Sequence, residues 1–220
     1  MTDNLSKRIF TSFILISILV ACLFIGKYSW LVLLIIASTI CFFEFSYLIK
    51  KIWKKKILNV YLINSFSFFY FIFFTYSAYD FGKINSEYML FVLSVCIFSD
   101  MGGYFIGKLV GGKKLTKISP NKTISGSIGS FVFSLFPLFI LLVIIKIVPD
   151  KNIIILVFIT LILSFICQSG DLFISYFKRK AKVKDTGSLL PGHGGLLDRI
   201  DGIIFAVPIA FFLNKLIFYL

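Results

Sequence analysis

The chain has 220 residues, of which 59% are hydrophobic and only 15% charged, and its mean hydropathy is +0.97. Soluble domains carry about 45–50% apolar and about 25% charged residues, which argues against a water-soluble globule. The charges are lopsided, 23 Lys+Arg against 10 Asp+Glu for a net +13; a basic chain suits nucleic acid or an acidic membrane surface, and the hydropathy selects the membrane.

A helical span needs about 20 mostly apolar residues. Seven runs qualify, at about 9–26, 30–49, 58–78, 88–107, 124–146, 152–174 and 203–219. The expected fold is therefore all-α, a polytopic helical membrane protein with about seven transmembrane helices. The first run follows Lys7 and Arg8 as in a signal peptide. It is long for that, no small-residue cleavage site follows, and it reads as a retained span. Lys and Arg cluster in residues 1–8, 50–56, 108–122 and 178–199, which together hold 18 of the 23. With seven spans these four segments share one side, and the positive-inside rule makes that side cytoplasmic. The segment 50–56, KKIWKKK, is either a topology determinant or a contact for anionic headgroups. Cys22, Cys41, Cys96 and Cys167 all sit in apolar runs without C-x-x-C spacing, and read as small buried hydrophobes.

Polar residues inside apolar runs are costly and mark candidate sites. Asp100 lies within the fourth run, followed by Gly103, Gly107 and Gly111 at a spacing that lets helices approach closely. Next comes a basic, hydroxylated loop with Lys113, Ser119, Lys122 and Thr123, suited to phosphate but lacking the Walker A pattern. Ser125, Gly126, Ser127, Gly129 and Ser130 continue into the fifth run, as packing residues or as an open helix N-terminus.

The third interruption, residues 168–202, holds four of the ten acids and the sole histidine. If the sixth helix continues, Asp171, Ser175, Lys178 and Lys182 share one face. Pro191, Gly192, His193, Gly194 and Gly195 read as a tight non-helical turn, with His193 either structural or a phosphate donor. Asp198 and Asp201, three residues apart, are either acids at a helix start or, with Asp171, a Mg²⁺ site facing substrate phosphates. Acids among many bases suggest metal-assisted phosphoryl or nucleotidyl transfer.

Residues 175–201 resemble the signature of phosphatidate cytidylyltransferases (CDP-diacylglycerol synthases), S-x-x-K-R-x4-K-D-x-G-x3-P-G-H-G-G-x2-D-R-x-D, and meet every fixed position. S-D-x-G-x-Y at Ser99–Tyr104, S-P-x-K-T at Ser119–Thr123 and Ser169-Gly170-Asp171-Leu172 agree with the same family. The resemblance covers about residues 95–219, dividing the chain into N-terminal helices over 1–94 and a catalytic region over 95–220. It implies a reaction in which a phosphatidate oxygen attacks the α-phosphorus of CTP, giving CDP-diacylglycerol and pyrophosphate. Mg²⁺ would be required, with allowance for a second cation, monovalent or divalent.

Carried over by motif position, Asp171, Asp198 and Asp201 would hold the metal, with Asp100 nearby. Lys122, Lys178, Arg179, Lys184 and Arg199 would hold phosphates, while His193, Gly192, Gly194 and Gly195 would shape the pocket. Asp185 belongs to the signature in a metal or a structural role. Lys113, Ser119, Thr123 and Ser175 join the substrate-binding candidates. The partners implied are CTP, phosphatidate and membrane lipid, with a homodimer as assembly and no nucleic acid. The location implied is a bacterial inner membrane with the site facing the cytoplasm. Gly202 stands where family members often have Ser. The chain is also short for a bacterial member, so the family's helix count and dimer packing are not carried over. The competing readings are a related lipid transferase, such as a polyprenol or phytol kinase or an archaeal-type CDP-lipid synthase, and a non-enzymatic transporter or channel.

Overall fold

The structure is a computed structural model that describes residues 2–84, 86–144, 153–190 and 194–218. Among them every regular element is helical, and the only strand-like features are two isolated bridges, Lys114 with Thr123 and Leu190 with Gly194. In chain order the helices are α1 (Thr2–Ile25), α2 (Lys27–Ile52), α3 (Ile57–Ile84), α4 (Ser86–Val110), α5 (Ile124–Ser134), α6 (Phe136–Phe139), α7 (Ile153–Ala181), α8 (Leu197–Ile200) and α9 (Ile203–Phe218). A π-helical turn, Ile140–Ile144, follows α6. Pro137, which lacks an N–H, stands where the α5–α6 register is broken.

Five helical stretches among the described residues are long and apolar enough to cross a membrane: α2, α3, α4, Ile124–Leu142 and α7. The runs expected at 9–26 and 203–219 contain shorter apolar helices, Phe13–Ile25 and Ile203–Asn214. The helical membrane architecture is thus present, with five described helices long and apolar enough to be spans.

The chain clusters into two compact units. One is Met1–Glu87 with Tyr176–Asp201; the other is Tyr88–Ser175 with Gly202–Leu220. Most of the signature therefore belongs to the unit built on the N-terminal helices.

In the first unit α2 and α3 pack around Trp30, which is buried and donates from Nε1 to the Ala78 carbonyl at 3.0 Å. Gly82 makes room for the indole, since a Cβ there would stand 2.5 Å from Nε1. Further along, Ser38 and Thr75 join their hydroxyls at 2.6 Å, as polar groups between apolar helices must. Near the end of α2, Phe45 and Trp53 meet Phe177 at ring distances of 5.1 and 6.4 Å. Lys180 lies over Tyr176 at 4.7 Å and over Trp53 at 5.8 Å. The basic aromatic segment at 50–56 thus also anchors residues 176–180.

The helix containing Asp171, Ser175 and Lys178 does run on, but it stops before Lys182. Lys182 takes φ +53, its N–H bonds to the Arg179 carbonyl, and the Val183 N–H bonds to the Lys178 carbonyl. This is a Schellman ending with lysine at the position glycine usually holds. Lys182 therefore leaves the face expected for it.

In the second unit α4 and α5 cross at close range. A Cβ on Gly102 would sit 2.5 Å from the Gly129 carbonyl oxygen and from Phe133 Cβ, and one on Gly126 would sit 2.8 Å from the Gly103 carbonyl oxygen. Gly126 and Gly129 thus serve packing, and Thr123 itself caps α5 by accepting from the Gly126 N–H at 3.0 Å. Gly111 is not part of that stripe: it has φ +64 with open space around its α-carbon. Gly202 lies against Cys167, where a Cβ would collide with the sulfur and stand 2.9 Å from the carbonyl oxygen. A serine at this place has no room in this chain.

The crossing yields a prediction. Gly102→Ala forces a methyl group onto the α5 backbone, and overpacking of this kind costs about 1–3 kcal/mol. The thermal unfolding midpoint in detergent should fall; an unchanged midpoint would contradict the close crossing.

Candidate functional site

Two clusters of functional side chains emerge, one in each unit. In the second unit a cavity of about 300 Å³ opens among α4, the loop after it, α5 and α7. Its wall brings together Asp100, Ser119, Lys122, Thr123 and Asp171, five of the candidates, which span 72 positions of sequence. The loop is held as a small hairpin: the Leu115 N–H donates to the Lys122 carbonyl at 2.8 Å and the Ile124 N–H to the Lys113 carbonyl at 3.0 Å. The Lys122 N–H closes a turn onto the Ser119 carbonyl at 3.1 Å. This frame aims Lys122 Nζ at Asp171 Oδ2, 2.5 Å away, and both side chains are 27% exposed.

Ser175 Oγ donates to Asp171 Oδ1 at 3.2 Å. Beside it Gln168 Oε1 accepts from Ser127 Oγ at 2.6 Å, and the Cys167 thiol is 3.9 Å from Asp100 Oδ1. Ser127 and Ser130 from α5 add hydroxyls to the wall. The wall carries one ammonium group, several hydroxyls and the carboxylates of Asp100 and Asp171, so a phosphate oxyanion would have to take Lys122 from Asp171. Lys113 is exposed and does not line it.

In the first unit the signature loop wraps around Asp198, whose side chain is only 4% exposed. Asp198 Oδ1 receives Lys178 Nζ at 2.6 Å. Asp198 Oδ2 accepts from the Thr186 N–H at 2.7 Å, the Thr186 hydroxyl at 3.0 Å and the Gly195 N–H at 3.1 Å. The lysine expected to hold phosphate is thus committed to this carboxylate. Leu190 and Gly194 exchange backbone hydrogen bonds of 2.9 and 3.2 Å. Gly194 has φ +83, and a Cβ there would stand 3.0 Å from Asp185 Cβ and 3.1 Å from Asp198 Oδ2.

Asp201 is buried at the end of α8. Arg179, Lys184, Asp185 and Arg199 are exposed. Gly192 and His193 lie outside the described residues.

Glu44 is the functional side chain that sequence reasoning missed. Its carboxylate accepts from the Thr186 hydroxyl at 2.8 Å, the Leu196 N–H at 3.0 Å and the Leu197 N–H at 2.9 Å. The signal was available: it is a carboxylate in the middle of the run Cys41-Phe42-Phe43-Glu44-Phe45, and a charge in such a run is a candidate by default.

Carboxylates are the donors Mg²⁺ prefers. Yet Asp198 already gives both oxygens to four donors and Asp171 pairs with Lys122. Among the described residues no three His, Cys, Asp or Glu side chains gather as a metal ion needs. Asp171 and Asp198 would have to exchange these partners for a metal ion to use their oxygens.

Comparison with known proteins agrees with the signature. The model of the cytidylyltransferase family matches residues 52–217, three quarters of the chain. The chain belongs to the cytidylyltransferase family. It is 45% identical over 124 residues to the phosphatidate cytidylyltransferase of Staphylococcus haemolyticus, covering 56% of this chain and 47% of that protein. It is 44% identical over 132 residues to that of Bacillus subtilis, covering 59% and 48%. For Staphylococcus aureus the figures are 42% over 132 residues, covering 60% and 50%. The chain spans about half the length of these curated relatives. Family membership thus reaches well into the N-terminal helices, to residue 52.

Removing Lys178 should cost stability as well as function, because breaking a buried ion pair leaves an uncompensated charge, at about 3–5 kcal/mol. Lys178→Ala is expected to lower the unfolding midpoint well below that of the wild type. Equal midpoints would show that the Lys178–Asp198 pair carries no weight in the fold.

Proposed function

We propose that this chain carries the machinery to transfer a cytidylyl group from CTP to phosphatidate, giving CDP-diacylglycerol and pyrophosphate. The observation that carries this reading is the cavity in which three separate family motifs meet: Asp100 from α4, Ser119–Thr123 from the hairpin, and Asp171 from α7. The relatives' name and the ungapped signature over 175–201 support the same chemistry. An oxygen of the lipid phosphate attacks the α-phosphorus of CTP, the bond from that phosphorus to the bridging oxygen breaks, and pyrophosphate leaves. The attacking oxygen is anionic at pH 7, so the protein has chiefly to position and neutralise charge. Lys122 and the hydroxyls of Ser119 and Ser130 would receive a phosphate in the cavity, where the Ser127 hydroxyl already donates to Gln168 Oε1. Arg179, Lys184 and Arg199, exposed in the first unit, are candidate cations for phosphate.

Magnesium belongs to the proposal as a requirement, and the motif's carboxylates are the donors such an ion prefers. A homodimer is likewise part of the proposal. The membrane assigned is the bacterial inner membrane with the site on the cytoplasmic side, supported by the basic loops that hold 18 of the 23 Lys and Arg.

Purified full chain, given labelled CTP, phosphatidate and Mg²⁺, should form CDP-diacylglycerol. It should not phosphorylate polyprenol or phytol. Absence of product where a relative is active overturns the reading. Chelation with EDTA should abolish turnover and added Mg²⁺ should restore it; turnover that survives chelation removes the metal from the proposal. Lys122→Ala should raise the KM for at least one substrate by about tenfold, the value of one charge-assisted phosphate contact. Unchanged KM values for both would remove Lys122 from the site.

A further inference from the structure

We propose that Glu44, on α2, is a positioning residue that sets the shape of the signature loop, and that Gly187 and Gly195 are glycines because this carboxylate must approach them. The inference rests on the proposed cytidylyl transfer for its functional consequence, but its geometry is independent of it.

Three observations converge. First, the carboxylate is placed where an apolar helix gives no reason for a charge. Glu44 lies eight residues before the end of α2, about 12 Å along the axis at 1.5 Å per residue. Its neighbours Phe42, Phe43 and Phe45 are apolar. A carboxylate there needs donors from within the protein. Second, it has them, and all come from the loop: the Thr186 hydroxyl and the Leu196 and Leu197 N–H groups. Thr186 is almost fully buried, and its one hydroxyl proton faces Glu44 Oε2 at 2.8 Å and Asp198 Oδ2 at 3.0 Å. Glu44 therefore reaches Asp198 through one intervening group.

Third, the glycines report on the space. Neither Gly187 nor Gly195 has a positive φ, so backbone freedom does not account for them. The three atoms nearest to a Cβ on Gly187 would all belong to Glu44, with Oε1 first at 2.7 Å. A Cβ on Gly195 would collide with the Thr186 hydroxyl and with Glu44 Oε2. The two ends of the loop thus close on one carboxylate, and any side chain at either glycine would displace it.

A double-mutant cycle tests this on the full chain in detergent or vesicles. Glu44→Ala, Gly187→Ala and the pair are compared by kcat, by KM for CTP, and by the rate of tryptic cleavage after Lys182 and Lys184. Alone, Gly187→Ala should lower kcat and speed cleavage. In the Glu44→Ala background the new methyl group has room, so its effect should shrink by at least about fivefold, within the coupling range for residues in contact. Glu44→Gln keeps the size but turns one acceptor into a donor; it should fall between wild type and Glu44→Ala in kcat, with KM nearly unchanged. Additive effects in both kcat and cleavage overturn the proposal, as does a Glu44→Gln variant equal to Glu44→Ala only in stability. If the wild-type chain makes no CDP-diacylglycerol, the function proposed above fails, and the cleavage cycle alone still decides whether Glu44 holds the loop.

Discussion

A carboxylate placed among apolar side chains must be met by donors from the protein itself, and Glu44 is met by a loop more than 140 residues away in sequence. That requirement organises the first unit. It ties α2 to Thr186, Leu196 and Leu197, and through the Thr186 hydroxyl to Asp198. Asp198 in turn holds Lys178, the Gly195 N–H and both donors of Thr186. Net hydrogen bonds are worth about 0.5–1.5 kcal/mol each, but leaving a buried acceptor unmet costs more. The network is therefore maintained less by what each bond adds than by what its absence would cost.

The second unit solves a different problem by different means. Two helices must come close enough to form a wall behind the hairpin, and between helices in lipid there is little hydrophobic gain from contact. Glycines at 102, 126 and 129 remove the side chains that would hold α4 and α5 apart. The cavity then forms where α5 begins, beside the Thr123 cap. Packing and function use the same residues here: Thr123 both starts a helix and lines the cavity. The Lys122–Asp171 pair sits on that wall at 27% exposure, half-desolvated.

Much of the fold could be read from the sequence because helical membrane segments are a local property. Apolar length marks them, and α2, α3, α4 and α7 lie where their runs predict. Ser119, Lys122 and Thr123 of the hairpin, with Asp100 and Asp171, are polar interruptions that do meet at one cavity, whereas Lys113 does not line it. The misreadings were also local in origin. Lys182 was placed on a helical face because periodicity does not reveal where a Schellman ending stops the helix. Gly111 was grouped with packing glycines because spacing does not distinguish a turn from a contact. Glu44 was passed over although the rule that singled out Asp100 applied to it equally.

By itself, the sequence determined the apolar environment, the helices and the family. Some 59% apolar residues in long runs must be covered by lipid or by each other, and an ungapped motif of fixed acids, bases and glycines identifies a family. Only the tertiary structure decided which charges meet. It paired Lys178 with Asp198 rather than leaving it to face solvent, and gave Asp171 to Lys122. It also revealed that Gly187 and Gly195 are small to admit Glu44. The physical reason is that periodicity encodes a face and a span, whereas an encounter between residues 44 and 186 depends on how helices pack. That packing is set by many contacts at once, and no spacing along the chain records it.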